Sequence, residues 1–228
     1  MRSPYQFKAL NKLISRDLNG VYDLPKFHKY KKEDIIRFMQ NPYNFEKELR
    51  DACIDIYTAS SYFRRLISYF ASLTDLSYVI VPITGPSKTK SQATLSKNLK
   101  RVMKVMDTFQ VKSQFRKILT VCLREDVFYG TLWITDDNIT IQQLPSDYCA
   151  ISSIEGNVYN VTFDFSYFDS HKYNLEYYPD EFKLKYDEYK HARKSKRYIA
   201  LDSPKSFAIK CASDIGEYAI PPFVGILP

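Results

Sequence analysis

The residues of this chain that could carry reactive chemistry are few and scattered. His28, His171 and His191 stand apart, with no spacing that would bring two imidazoles onto one metal ion. Cys53, Cys122, Cys149 and Cys211 are widely separated and form no Cys-x-x-Cys pair. Neither a zinc site nor a disulfide framework is therefore expected, and a reducing compartment is. Cys53 and Cys122 fall on apolar helix faces, where a free thiol behaves as a small hydrophobe. The six glycines build no phosphate-binding loop, and no Gly-x-Ser-x-Gly elbow occurs.

One acidic pattern has a chemical precedent. Asp164 followed by Glu181-Phe182-Lys183 imitates the acid…Glu-x-Lys set of metal-dependent nucleases. That chemistry needs the Glu and Lys on a strand, so that the carboxylates converge on Mg²⁺. Here Glu181 and Lys183 begin a helix that opens with Pro179 and puts Asp180-Glu181 near its positive dipole end. The pairs Glu125-Asp126 and Asp136-Asp137 fit a helix end and a turn. The expectation is a protein that is not an enzyme and takes no cofactor and no metal.

The charge points elsewhere. The 228-residue chain carries a net charge of +7, with a pI near 9.0. Such a balance suits a polyanionic partner. Its densest cluster is KHARKSKR, where Lys190, Arg193, Lys194, Lys196 and Arg197 make five of eight residues basic. Clustered Lys and Arg displace counterions from phosphates without reading sequence. The plain alternative is a solvated helix end. No base-reading motif accompanies the cluster. The 19 Tyr and 15 Phe mostly occupy periodic core positions, so stacking on single strands is not indicated.

The elements that must position these residues read as α+β. Hydrophobic residues are 45% and charged residues 26%, which suits one large folded domain or two small ones. The start lacks the apolar core of a signal peptide. No uncharged apolar run reaches transmembrane length. Sequons at Asn138 and Asn160 read as chance matches. Residues 1–42 look like an arm with one short helix over 33–39, stopped by Asn41-Pro42.

Leu49, Ala52, Ile56, Ala59, Phe63, Leu66, Phe70 and Leu73 recur at spacings of 3 and 4, which predicts a single helix over residues 46–73. Its stripe is a core face or an inter-subunit face. Residues 76–81 predict a buried strand and 83–92 a loop. Residues 94–109 predict a helix with Leu95, Leu99, Val102, Met103, Met106 and Phe109 on one side and Lys97, Lys100, Arg101 and Lys104 on the other. A buried helix is predicted over 112–128, left through Gly130 into a hairpin, 132–135 and 139–144, turned over Asp136-Asp137-Asn138. Residues 159–167 alternate as a half-buried strand. A helix over 179–193 with the stripe Phe182, Tyr186 and Tyr189 is followed by short strands at 198–201 and 206–211. The chain stops in the apolar segment FVGILP, which suggests that more protein belongs there.

The order of these elements resembles the portal protein, or head–tail connector, of tailed bacteriophages of Gram-positive hosts. The likeness is carried by SSYFRRLISYFASLTDLSYVIVP, by FRKILTVCLREDVFYGTLWITDDNITIQQLPSDYCAIS, and by SFAIKC followed by IPPFVGIL, and it spans most of residues 43–227. Its motifs are structural, not chemical. The resemblance implies a mainly helical wing with long helices and short hairpins over 43–178, then a first stem helix over 179–193. A small β clip over 194–219 and the start of a second stem helix over 220–228 would follow. It further implies a dodecameric homo-oligomeric ring at a capsid vertex, assembled in the host cytoplasm. Double-stranded DNA, the major capsid protein, terminase, and tail or adaptor proteins would be its partners, with no membrane. The basic cluster would face DNA in the tunnel or an acidic partner outside it. A phage or mobile-element DNA-binding protein that is not a portal is the alternative.

Overall fold

The computed structural model describes residues 29–81, 92–134, 139–156, 158–192, 196–203, 205–212 and 216–227. The chain is α+β. Helices α1 (Lys32–Gln40), α2 (Glu46–Ala59), α3 (Ser61–Leu73), α4 (Gln92–Phe109) and α5 (Val111–Glu125) come first. Strands β1 (Val127–Ile134), β2 (Ile139–Gln143), β3 (Cys149–Glu155) and β4 (Val158–Asp164) follow. Then come α6 (Tyr167–Ser170), α7 (Asp180–His191), β5 (Tyr198–Ala200) and β6 (Ser206–Lys210). One sheet has the order β2-β1-β6-β4-β3, with β5 added along β4. All its pairings are antiparallel.

Side-chain parity explains how both faces of that sheet are used. Phe128 on β1, Ile141 on β2, and Phe207 and Ile209 on β6 pack with Ile118, Val121 and Cys122 of α5. Their neighbours Val127, Tyr129 and Ala208 join the main core with Val161 and Phe163 of β4, Phe168 of α6, and Phe182, Tyr186 and Tyr189 of α7. Alternation along each strand thus sends successive residues into two separate apolar layers. A third cluster joins α1 and α2 to the C-terminal turn through Phe38, Leu49, Cys53 and Val224.

The helix predicted over 46–73 is two helices. The apolar spacing continues across Ser60, but Ser60 adopts an extended backbone (φ −97°, ψ 116°), and its hydroxyl accepts the Phe63 N–H at 3.2 Å as the N-cap of α3. Arg64 donates to the Tyr57 and Thr58 carbonyls at the end of α2. Residues 76–81 form no strand; Val79 is 86% and Val81 70% exposed. The predicted helix over 112–128 ends three residues early. Asp126 turns the chain with φ 68°, and Val127 already belongs to the sheet. Gly130 therefore lies inside β1. A Cβ there would stand 2.6 Å from Phe128 Cε1, so glycine is required for packing, not for helix exit. The hairpin pairs Ile134 with Ile139 as expected, while its turn lies outside the described residues.

Segments of the expected wing and clip meet in one sheet. β6 of the expected clip pairs with β1 of the expected wing, and β5 pairs with β4. α7, the expected stem helix, buries Phe182, Tyr186 and Tyr189 in the main core. In the last described residues, Val224–Ile226 is a 3₁₀ turn that inserts Val224 against α1 and α2.

One buried charge pair binds these parts. The Asp126 and Lys210 side chains have no solvent exposure, with Nζ 3.5 Å from Oδ2. Lys210 Nζ also donates to the Gly216 carbonyl at 2.8 Å and to the Tyr218 carbonyl, and Asp126 Oδ1 accepts the Ala212 N–H at 2.8 Å. Burial pushes the Asp126 carboxyl up, and the Ala212 N–H and Lys210 pull against it. Asn tolerates positive φ, so Asp126→Asn isolates the charge. It leaves a buried ammonium without its counter-charge and is expected to lower stability in denaturant titrations by about 3–5 kcal/mol. Adding Lys210→Met should recover much of that loss. An Asp126→Asn protein within about 1 kcal/mol of wild type would contradict this role.

Candidate functional site

The turn that follows β2 is the polar hub of the molecule. Leu144 is buried, and the 3₁₀ turn Ser146–Tyr148 presents Asp147 to α2. Arg50 Nη2 donates to Asp147 Oδ1 at 2.6 Å, Lys47 Nζ stands 3.2 Å from Oδ2, and Glu46 lies 3.7 Å from Arg50. Beside it the buried Arg124–Glu125 pair accepts the Ser146 hydroxyl on Glu125 Oε2 at 3.1 Å, and Arg124 lies over the Tyr57 ring. Tyr148 packs edge-on against Tyr167, ring centroids 4.9 Å apart. These contacts fasten α2, α5 and the start of β3 to one another. The charged groups Arg50, Asp147, Arg124 and Glu125 are all engaged with one another or with their neighbours.

The nuclease-like residues are likewise divided among structural contacts. Asp164 is held by Arg197 at 2.5 Å and caps the turn at Ser166. Glu181 accepts the Asp202 N–H at 2.7 Å and pairs with Lys185. Lys183 pairs with Asp180 at 2.8 Å. Among the described residues no group of three His, Cys, Asp or Glu could hold a metal ion.

The basic cluster is only partly open to a ligand. Arg193 and Lys194 lie outside the described residues. Arg197 is engaged by Asp164 and Ser166, so its guanidinium ties β5 to the end of β4. Lys196 is exposed, 3.9 Å from Glu188, and Lys190 lies over the Tyr186 ring at 4.1 Å. Lys190, Lys196 and Arg197 are exposed, but Lys196 and Arg197 each face a carboxylate.

The predicted helix stripe divides at Ser60 as well. Leu49 is buried against α1 and the C-terminal turn, and Phe63 is buried on α3. Ile56 and Leu66 are half-buried. Phe70 is 39% exposed, with its ring 5.3 Å from that of Phe223. The side chains that complete the inward face of α3 are Ile67 and Ala71, outside the predicted stripe. The break shifts the phase of the second helix.

The largest feature that sequence reasoning missed is an open apolar surface. Tyr62, Tyr69 and Leu73 of α3 are exposed. The chain then runs through the exposed residues 78, 79 and 81 to α4. Lys112 Nζ reaches Ser77 Oγ at 3.3 Å, and Tyr78 lines a shallow depression of about 340 Å³ with Met106, Gln110 and Val111 at the α4–α5 corner. None of the described side chains of α4 is buried. Leu95, Leu99, Met106 and Phe109 are half-covered, and Val102 and Met103 are 45% and 49% exposed. On its reverse Lys97, Lys100, Arg101 and Lys104 are exposed without an ion pair to a described residue. The exposed apolar residues were legible only as a helix stripe, because amphipathic spacing does not say whether the partner is in the same chain. Among the described residues no helix is long and apolar enough to cross a membrane.

The hub generates a pH signature. Burial alone would push the Asp147 carboxyl up, but Arg50 and Lys47 outweigh it and hold it below its ordinary value. A depressed folded value gives stability that is present above the unfolded pKa, near 3.9, and lost as pH falls through the folded one. Asp126 and Glu46 are shifted upward and act with the opposite sign, so the comparison must be with a variant. The stability advantage of wild type over Asp147→Asn, read from unfolding midpoints, is expected to be full at neutral pH and to shrink below about pH 4. An advantage independent of pH would contradict the assignment. Compared with protein-family models, with curated proteins and with solved structures, the chain matches none.

Proposed function

We propose that this chain is a subunit of a phage portal, the ring at a capsid vertex through which double-stranded DNA is packaged and ejected and to which the tail attaches. The reading rests on the order of the quoted segments along residues 43–227. The observation that carries it furthest is α4, an 18-residue amphipathic helix with no described buried side chain. An apolar helix face left open next to exposed apolar residues of α3 and the 76–81 segment supports a role completed by neighbouring subunits. The free cations on the reverse of α4, with Lys190 and Lys196, suit a polyanion close by. In this reading the chain has a mechanical role: it holds a stiff wall around a duplex and offers surfaces to terminase, capsid and tail proteins.

The basic face of α4 also favours a second reading, a phage or mobile-element DNA-binding protein that is not a portal. Assembly separates the two. Light scattering of the purified protein should give the mass of a large cyclic oligomer, and Met103→Glu should reduce it to small species with an unchanged circular dichroism spectrum. Binding of free duplex should be weak. A stable monomer at micromolar concentration would overturn the portal reading. If that monomer bound duplex with log K falling against log salt with a slope of about −3.6, as four phosphate contacts require, the second reading would stand.

A further inference from the structure

Cys122 and Cys211 are a pair of thiols whose chemistry the proposed assembly does not use. Cys122 is buried on α5, and Cys211 is exposed, one residue beyond β6. Asp126 holds both backbones. Its N–H donates to the Cys122 carbonyl at 2.7 Å, and its own carbonyl accepts the Cys211 N–H at 2.9 Å. The Cys122 thiol reaches across to β6, with Sγ 3.3 Å from the carbonyl oxygen of Ile209, two residues before Cys211, and the two thiols act on each other's ionisation. The sequence separates the two by 89 positions, and only the α5–β1–β6 packing brings them together.

We propose that Cys122 and Cys211 form a two-cysteine oxidation site that closes to an intramolecular disulfide when a peroxide is present. The two sulfurs have unequal roles. The neighbouring Cys122 thiol draws the Cys211 thiol below its ordinary value. The same contact, together with burial, pushes the Cys122 thiol up. Cys211 is thus both the solvent-facing sulfur and the more readily ionised one, and the thiolate is the form that reacts with peroxides. Burial holds the other two thiols in their protonated form, Cys53 pushed up to about 12 and Cys149 well above its ordinary value.

The chemistry balances without a metal or cofactor. The Cys211 thiolate attacks one oxygen of hydrogen peroxide; an S–O bond forms and the O–O bond breaks. The departing hydroxide takes the proton that Cys211 released and becomes water. The Cys122 sulfur then attacks the sulfenic sulfur of Cys211; an S–S bond forms and the S–O bond breaks. The hydroxyl leaves with the Cys122 proton as a second water. Two thiols lose two electrons, and one peroxide gains them. The product ties α5 to the end of β6, beside the buried Asp126–Lys210 pair.

The test uses reduced wild-type protein, treated with equimolar hydrogen peroxide and then alkylated in denaturant. It is expected to lose two of its four alkylatable thiols and to give a tryptic species joining residues 118–124 to the peptide that starts at Cys211. Cys122→Ser should stop at the Cys211 sulfenic acid, captured by dimedone. Cys211→Ser, at an exposed position, should lose both the cross-link and the dimedone adduct. Four free thiols after peroxide would overturn the proposal. So would a cross-link between any other pair, or dimedone capture at wild-type Cys211 without the cross-link.

Discussion

Asp126 is the residue on which the arrangement of the whole chain depends. A buried helix, α5, has to pass directly into a central strand, β1, with no loop between them. A single residue at positive φ makes that turn, and all its polar groups then face the interior. The fold answers each of them: the backbone bonds to Cys122 and Cys211, Oδ1 takes the Ala212 N–H, and the charge is opposed by Lys210. Oδ2 faces the Lys210 ammonium at 3.5 Å. Removing a carboxylate from water is costly unless such partners are in place. The requirement therefore dictates where β6 and the segment after it must lie. Through the Gly216 and Tyr218 carbonyls it positions the C-terminal turn, and Val224 closes the cluster of α1 and α2. Arg50 and Asp147 fasten α2 from its other side.

What the sequence disclosed and what it hid follow from the range of the interactions involved. The stripe Phe182, Tyr186 and Tyr189 and the β1–β2 pairing are local patterns, and both are realised; the alternation predicted over 159–167 is realised only as far as Asp164, where β4 ends, and Tyr167 begins α6 instead. The break at Ser60 was invisible to periodicity because the apolar spacing runs through it; the signal was the Ser60-Ser61 pair, with its preference for helix caps. Val127 and Phe128 read as helix because a buried helix end and a buried strand are both continuous apolar runs. Residues 76–81 have strand composition but no partner edge. The Asp126–Lys210 pair and the Cys122–Cys211 contact join residues far apart in the chain, and no spacing rule reaches them. Arg197 was legible as a cation, but its commitment to Asp164 required the β4–β5 register.

The distribution of polar and apolar groups argues for a molecule whose work is done at its surface. Inside, charged side chains are matched in pairs around the 144–148 turn and the α5–β1 junction. Outside, α3, residues 76–81 and α4 present apolar side chains without a described cover, and the opposite side of α4 presents cations without an ion pair to a described residue. In the proposed reading, an exterior that is part apolar and part basic suits a subunit that binds its neighbours laterally with a polyanion nearby.

Electron micrographs of the purified protein test this account most directly. It predicts closed rings of many subunits with a central opening, and class averages in which α3, residues 76–81 and α4 lie at the contacts between subunits. Fields of separate small particles at micromolar concentration, with no closed rings, would contradict it.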